Sequence, residues 1–210
     1  KVVENADVMM MSLQNGVIDV CAHLTAAQVA QLGADYNVME GTMNLVQALY
    51  LNHDVKPFDD VRVRQALCYA VDKEQIIDLA FDGYGSPIGS SMYPAFTKYF
   101  VPELADKYPQ DLEKAKQLLA EAGWDGSYTI QAVYYTANLL DTITAIQGYW
   151  AMVGVNMEFQ LLTDNLTVLL WSPSPDGVKS AVDWDICFAG TNALTLGEFY
   201  NRHHATAANN

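Results

Sequence analysis

Apolar residues along this chain change period repeatedly, from three-and-four to two and back, and the switching predicts its elements. Val63, Leu67 and Ala70 fall at i, i+4 and i+7, one helix face that Asp59 or Asp60 can start. Asp72 with Gln75 three positions on reads as the N-cap pair of a second helix, carrying Ile76, Ile77 and Ala80 and ending at Gly83. Asp111 caps a third, in which Ala115, Leu118, Leu119 and Ala122 form a face that stops at Gly123. A fourth runs from Asn138 to Met152, with Leu139, Ile143, Ile146 and Trp150 on one side and Gly154 as its breaker. Around these the period drops to two. Tyr128 to Tyr135 alternates, Val155, Met157, Phe159 and Leu161 alternate with Asn156, Glu158 and Gln160, and Trp184 to Ala189 reads as a last strand.

The remaining stretches are less regular. Asn5 caps a short helix bearing Ala6, Met9 and Leu13, which Asn15-Gly16 ends, and Val17 to Cys21 then reads as a strand. Thr25 with Gln28 makes a capping box for a helix through Leu32. Val38 to Leu51 is extended, with Leu45 to Leu51 as its apolar end, and Pro57 stops it. The glycines and prolines of 83–110 predict a long irregular excursion. Thr163 or Asp164 caps a short helix through Leu170, and Ser172 to Gly177 is a loop. Alternating strands and helices place the chain in the α/β class with a largely parallel or mixed sheet.

Composition narrows the function. A chain of 210 residues that is 51% hydrophobic has enough apolar side chains for a sizeable core in one or two domains. Eleven basic residues against 25 acidic ones leave a net charge of −14, which repels phosphate backbones and anionic lipid. Nucleic acid and the membrane surface are therefore not expected partners. Cys21, Cys68 and Cys187 are too few for a disulfide framework; Cys68 and Cys187 sit in apolar settings and read as buried free thiols. No apolar run reaches the ~18 residues of a membrane span. The chain opens on Lys1 with no Met, no apolar leader core and no lipid-attachment Cys, so the expectation is that its natural N-terminus, and any anchor, lie upstream.

The run from Pro57 to Leu67 (Pro-Phe-Asp-Asp-Val-Arg-Val-Arg-Gln-Ala-Leu), followed by Ala70-Val71-Asp72-Lys73, and the run from Tyr108 to Trp124 are the most specific segments. Together they resemble the extracellular solute-binding proteins of the oligopeptide, dipeptide and nickel importers (family 5). Other segments agree in family order. These are Asn15 to Val20, Leu49-Tyr50-Leu51-Asn52, Gly83 to Pro87, and Asp183 to Ile186, where Trp184 stands for the family's Tyr. The resemblance implies part of a two-lobed periplasmic-binding-protein fold of type II, with a mixed sheet flanked by helices. By that comparison residues 1–43 are the tail of the first lobe and 44–210 most of the second. It also implies a monomeric importer component outside the membrane, extracellular, periplasmic or lipid-anchored at the cell surface. Such a component closes around a small solute, most readily a short peptide, and delivers it to ABC permease subunits. Oligosaccharide, a nickel chelate, or a ligand-sensing domain of a regulatory protein are the alternatives. No cofactor is expected.

Candidate site residues follow from the same comparison. Counting back from Phe199, the position where peptide-binding members carry an aspartate for the ligand's amino terminus is Asn192, with Thr191 beside it. A neutral amide donates and accepts hydrogen bonds but cannot neutralise an ammonium, which argues against a free peptide amine as the anchor. Asn44, Val46, Thr163, Asp164 and Trp171 stand at strand ends or helix starts, where open α/β sheets present ligands. Each also has a plainer reading as a cap, core or loop residue. Trp124, Trp150 and Trp184 read as core.

Catalytic and metal-binding devices are not apparent. G-x-S-x-G, S-x-x-K and H-E-x-x-H are all missing, and no two cysteines have C-x-x-C spacing. Gly83, Gly85 and Gly89 follow a helix rather than a strand, so they do not make a dinucleotide turn. Adjacent His203 and His204 hold their rings poorly for one metal, and His23 and His53 have no partner in sequence. Asp183 and Asp185 share one side of a strand, a weak hint of hydrolysis set against the lack of any other catalytic group. The chain is not expected to be an enzyme.

Overall fold

The computed structural model describes residues 6–22, 24–53, 55–163, 184–192 and 195–203. Its helices are α1 (Ala6–Gln14), α2 (Ala26–Leu32), α3 (Val61–Tyr69), α4 (Lys73–Phe81), α5 (Leu112–Glu121), α6 (Leu140–Ala151) and α7 (Leu196–His203). The strands are β1 (Val46–Leu51), β2 (Thr129–Tyr134), β3 (Asn156–Leu161) and β4 (Ile186–Thr191). They form a four-stranded sheet in the order β1-β4-β2-β3. β2 runs parallel to both β3 and β4, and β1 is antiparallel to β4, so the class is mixed α/β with a mixed sheet, as expected.

Local chemistry starts the helices where the sequence places them. Thr25 and Gln28 exchange side-chain and backbone bonds in a full capping box at α2. Asp60 accepts from the Arg62 N–H, Asp72 from the Gln75 N–H and Asp111 from the Lys114 N–H, each satisfying a donor that the first helical turn leaves bare. Asp82 and Gly83 both take left-handed backbone at the end of α4, with φ of 51° and 80°.

One face of the sheet carries the main core. Ile130, Ala132 and Tyr134 of β2, Met157 of β3, and Ile186 and Phe188 of β4 pack on Val63, Ala66 and Leu67 of α3 and Ala115, Leu118 and Leu119 of α5. Ile143, Ile146, Tyr149 and Trp150 of α6 complete it. Trp150 is almost wholly buried, and its indole N–H reaches the Leu67 carbonyl at 3.1 Å, tying α6 to α3. On the opposite face Val133, Leu162, Cys187 and Ala189 form a smaller cluster flanked by Tyr50, Tyr135 and Trp184. The excursion after α4 lays Tyr93, Ile88, Met92 and Phe96 over Val46 and Ala48 of β1, and holds a short 3₁₀ turn at Pro102–Asp106.

The Pro-Phe-Asp-Asp run is an anchoring device. Phe58 is fully buried. Asp60 both caps α3 and pairs with the Arg62 guanidinium at 2.6 Å, while Arg62 Nη1 also donates to the Glu121 carbonyl at the end of α5. Arg64 Nη1 donates to the Phe58 and Asp59 carbonyls at 2.6 and 3.1 Å, closing the turn. The Arg62 contacts hold the Asp60 carboxyl down to about 2 from an ordinary 3.8.

Some expectations are corrected. Val17 to Cys21 is not a strand: Val17 and Val20 are exposed, and no ladder partner meets them among the described residues. The extended stretch from Val38 becomes a strand only at Val46, where β4 supplies hydrogen bonds. Cys68 is exposed rather than buried, because it lies off the Val63–Leu67 stripe of α3. Cys187 is buried in β4, and burial pushes its thiol up to about 12. Trp150 is core, whereas Trp124 and Trp184 are half-buried. The helix placed after Thr163 or Asp164, the loop at 172–177 and Asp183 lie outside the described residues.

Candidate functional site

Strand direction gathers one edge. β2, β3 and β4 are mutually parallel, so their C-terminal ends share a side of the sheet, and antiparallel β1 brings its N-terminal end to the same side. The register pairs Val46 with Thr191. Asn44, two residues before Val46, and Asn192, just past Thr191, are both exposed there. Thr163 is exposed at the end of β3, one residue beyond Leu162, whose N–H donates to the Tyr134 carbonyl at 2.7 Å. Five of the residues singled out in the sequence thus share one sheet edge, at which open α/β folds present ligands. Val46 differs from the others in that its side chain is buried against Tyr93. Asp164 and Trp171 lie outside the described residues.

Two further residues at this edge went unread in the sequence. The β2–β4 ladder ends at Tyr134 opposite Phe188, yet β4 continues to Thr191. The Tyr135 hydroxyl fills that gap, donating to the Gly190 carbonyl at 3.0 Å and accepting from the Gly190 N–H at 2.9 Å. A Cβ on Gly190 would sit 3.1 Å from Leu45 Cδ1 and 3.4 Å from the same hydroxyl, so this close approach suits glycine. The available sequence signals were a tyrosine ending an alternating run and a glycine ending a strand, both of which have many plainer explanations.

Apart from this edge, a concavity of about 400 Å³ lies on the sheet face away from the helices, lined by Gln131, Glu158, Gln160, Trp184, Asp185 and Tyr128 among others. Its polar groups are partly engaged already. Gln131 Nε2 donates to Glu158 Oε2 at 3.3 Å, and the Gln131 N–H donates to Asp185 Oδ2 at 2.7 Å. Among the described residues no group of three His, Cys, Asp or Glu side chains could hold a metal ion, and no helix is long and apolar enough to cross a membrane.

Comparison with known proteins places this geometry. The sequence model of the bacterial extracellular solute-binding proteins, family 5 Middle, matches residues 1–201, and the chain belongs to that family. It is 36% identical over 162 residues to heme-binding protein A of Haemophilus influenzae, covering 73% of this chain and 29% of that protein. It is 33% identical over 162 residues to the dipeptide-binding protein of Escherichia coli, covering 73% of this chain and 30% of that protein. The aligned part of the chain therefore spans less than a third of the length of these curated relatives. Among solved structures, the ABC transporter substrate-binding protein CtaP of Listeria monocytogenes superposes with a TM-score of 0.80 at 22% identity, over 99% of this chain and 42% of that one. The matched part of that protein has the fold described above.

Proposed function

We propose that this chain is part of a solute-binding component of an ABC importer, with residues 1–43 the tail of its first lobe and 44–210 most of its second. The observation that carries the reading is the shared edge, where the register of Val46 with Thr191 draws Asn44 and Asn192 together inside a chain of this family. Asn44, Thr163, Thr191 and Asn192 offer amide, hydroxyl and backbone groups to a ligand, with Asp164 and Trp171 as further contacts and Val46 as support from beneath. The ligand class proposed is a short peptide, held by neutral hydrogen bonds at Asn192 rather than by an ion pair. Closure of the two lobes over the ligand stabilises the form that docks on the permease. The component works as a monomer outside the membrane and carries out no chemistry on its solute.

The test uses the full-length protein in a thermal-shift screen. Peptides, oligosaccharides, a nickel–histidine chelate and hemin are the arms, since a ligand bound only by the folded state raises Tm by mass action. A shift with trialanine that disappears when its amine is acetylated would sink the neutral anchoring at Asn192. A shift confined to hemin, the chelate or an oligosaccharide would replace the peptide class. No shift in any arm would overturn these ligand classes and move weight to an untested solute or to the ligand-sensing domain of a regulatory protein.

A further inference from the structure

We propose that Tyr135 is a positioning residue for the ligand edge: its hydroxyl, bonded to both backbone polar groups of Gly190, sets where Thr191 and Asn192 are presented. This deepens the binding function proposed above and rests on it.

The argument starts from backbone bookkeeping. β1 pairs with β4 through Thr191, but β2 pairs with β4 only as far as Phe188. The Gly190 N–H and C=O turn toward the β2 side, beyond the last rung of that ladder, where no strand among the described residues pairs with them. Bare backbone groups at a half-buried position are costly, and they leave the strand end free to shift. A phenol hydroxyl can give one hydrogen bond and accept another through a single oxygen. Tyr135 does both, at 3.0 and 2.9 Å, and so supplies a side-chain rung where the main chain has none. Asn192 is two residues further on. The ladder with β1 pairs Gln47 with Gly190 and Val46 with Thr191, so the strand end is held from the β1 side as well. A site residue placed immediately after a fixed strand end needs less ordering when ligand arrives.

The experiment uses the full-length protein and three variants. Tyr135→Phe removes only the hydroxyl. Gly190→Ala keeps the hydroxyl but crowds it. Tyr149→Phe is the control, since the Tyr149 hydroxyl bonds the Gln75 side chain between α6 and α4, away from the edge. Deuterium uptake by the peptide containing Gly190 is measured without ligand, and Kd is measured for trialanine, hemin and nickel–histidine well below Tm. Tyr135→Phe is expected to speed exchange there by about tenfold or more. It should also raise Kd about fivefold for whichever probe the wild type binds. Gly190→Ala should move both readings the same way, and it decides the matter if Tyr135→Phe does not fold. Tyr149→Phe should lower Tm and leave Kd within about twofold, because its site is distant and independent.

Unchanged exchange in both edge variants overturns the proposal, because the rung is then not holding the strand end. Faster exchange with wild-type Kd overturns it too, and leaves the binding function standing. If the wild type binds none of the three probes, the functional reading fails first and the role of Tyr135 falls with it.

Discussion

Asp185 and Gln131 are joined twice. The Asp185 N–H donates to the Gln131 carbonyl at 3.0 Å, and the Gln131 N–H donates back to the Asp185 carboxylate at 2.7 Å. On its other side the Asp185 carbonyl accepts from the Asn52 N–H at 2.9 Å, and Asn52 Nδ2 reaches the Trp184 carbonyl at 3.3 Å. A buried carboxylate thus begins β4 by binding it to β2 while Asn52 binds it to β1. That employment as a backbone acceptor accounts for Asp185 without any hydrolytic role.

Replacing Asp185 by Ala leaves the Gln131 N–H without its acceptor in a part-buried position. The expected loss is about 1–3 kcal/mol of unfolding free energy, the usual penalty for an orphaned buried donor. A urea titration followed by tryptophan fluorescence reads it. A midpoint equal to wild type would mean that the carboxylate bond does not matter to the sheet.

The Asp60 carboxyl gives a pH signature. Its folded pKa of about 2 lies below the ordinary 3.8, chiefly because the Arg62 side chain donates to it. A depressed acid stabilises the fold above its unfolded pKa and loses that contribution as pH falls through the folded one. Asp60→Asn keeps a competent N-cap but removes the charge. Wild type should therefore exceed Asp60→Asn in Tm at pH 5, and the gap should close between pH 4 and pH 2. A gap constant across that window would contradict the ion-pair account.

Within the Pro-Phe-Asp-Asp run, burial divides the residues sharply. Phe58 is fully buried in the main core, so Phe58→Ala is expected to cost about 3–5 kcal/mol. Asp59 is exposed and contributes its carbonyl, which Ala retains, so Asp59→Ala should stay within about 0.5 kcal/mol of wild type. Chemical denaturation of the two variants side by side tests the contrast. Equal losses would show that the run acts through something other than core packing.

Cys187 should be inert in the folded chain. Its thiol is buried in β4 and raised to about 12, so at pH 8 almost none is thiolate, the reactive form. With Cys21 and Cys68 changed to Ser, a disulfide reagent should label no thiol under native conditions and one in denaturant. Prompt native labelling would mean that β4 opens readily.

Helix chemistry was legible because it is local. Thr25 with Gln28, Asp72 with Gln75, and Asp111 before its apolar face each lie within one turn, and the structure shows each bond. The apolar stripes of α3, α5 and α6 were legible for the same reason, since a helix fixes which side chains share a face. Val17 to Cys21 shows the limit of such reading. Its apolar pattern suits a strand, but a strand also needs a neighbour to bond, and no local signal reports one.

The sequence by itself determined the class, the caps and the helical core faces, and through its signature runs it pointed to the family. Only the tertiary structure decided that β1 lies antiparallel beside β4, which sets Val46 against Thr191 although 145 positions separate them. Only there does Val46 disappear under Tyr93, and only there does Tyr135 reach Gly190 across 55 residues. The physical reason is reach. Caps and periodicity act over three or four residues, whereas strand order and side-chain rungs arise when the chain collapses and bare backbone groups must find partners far along it.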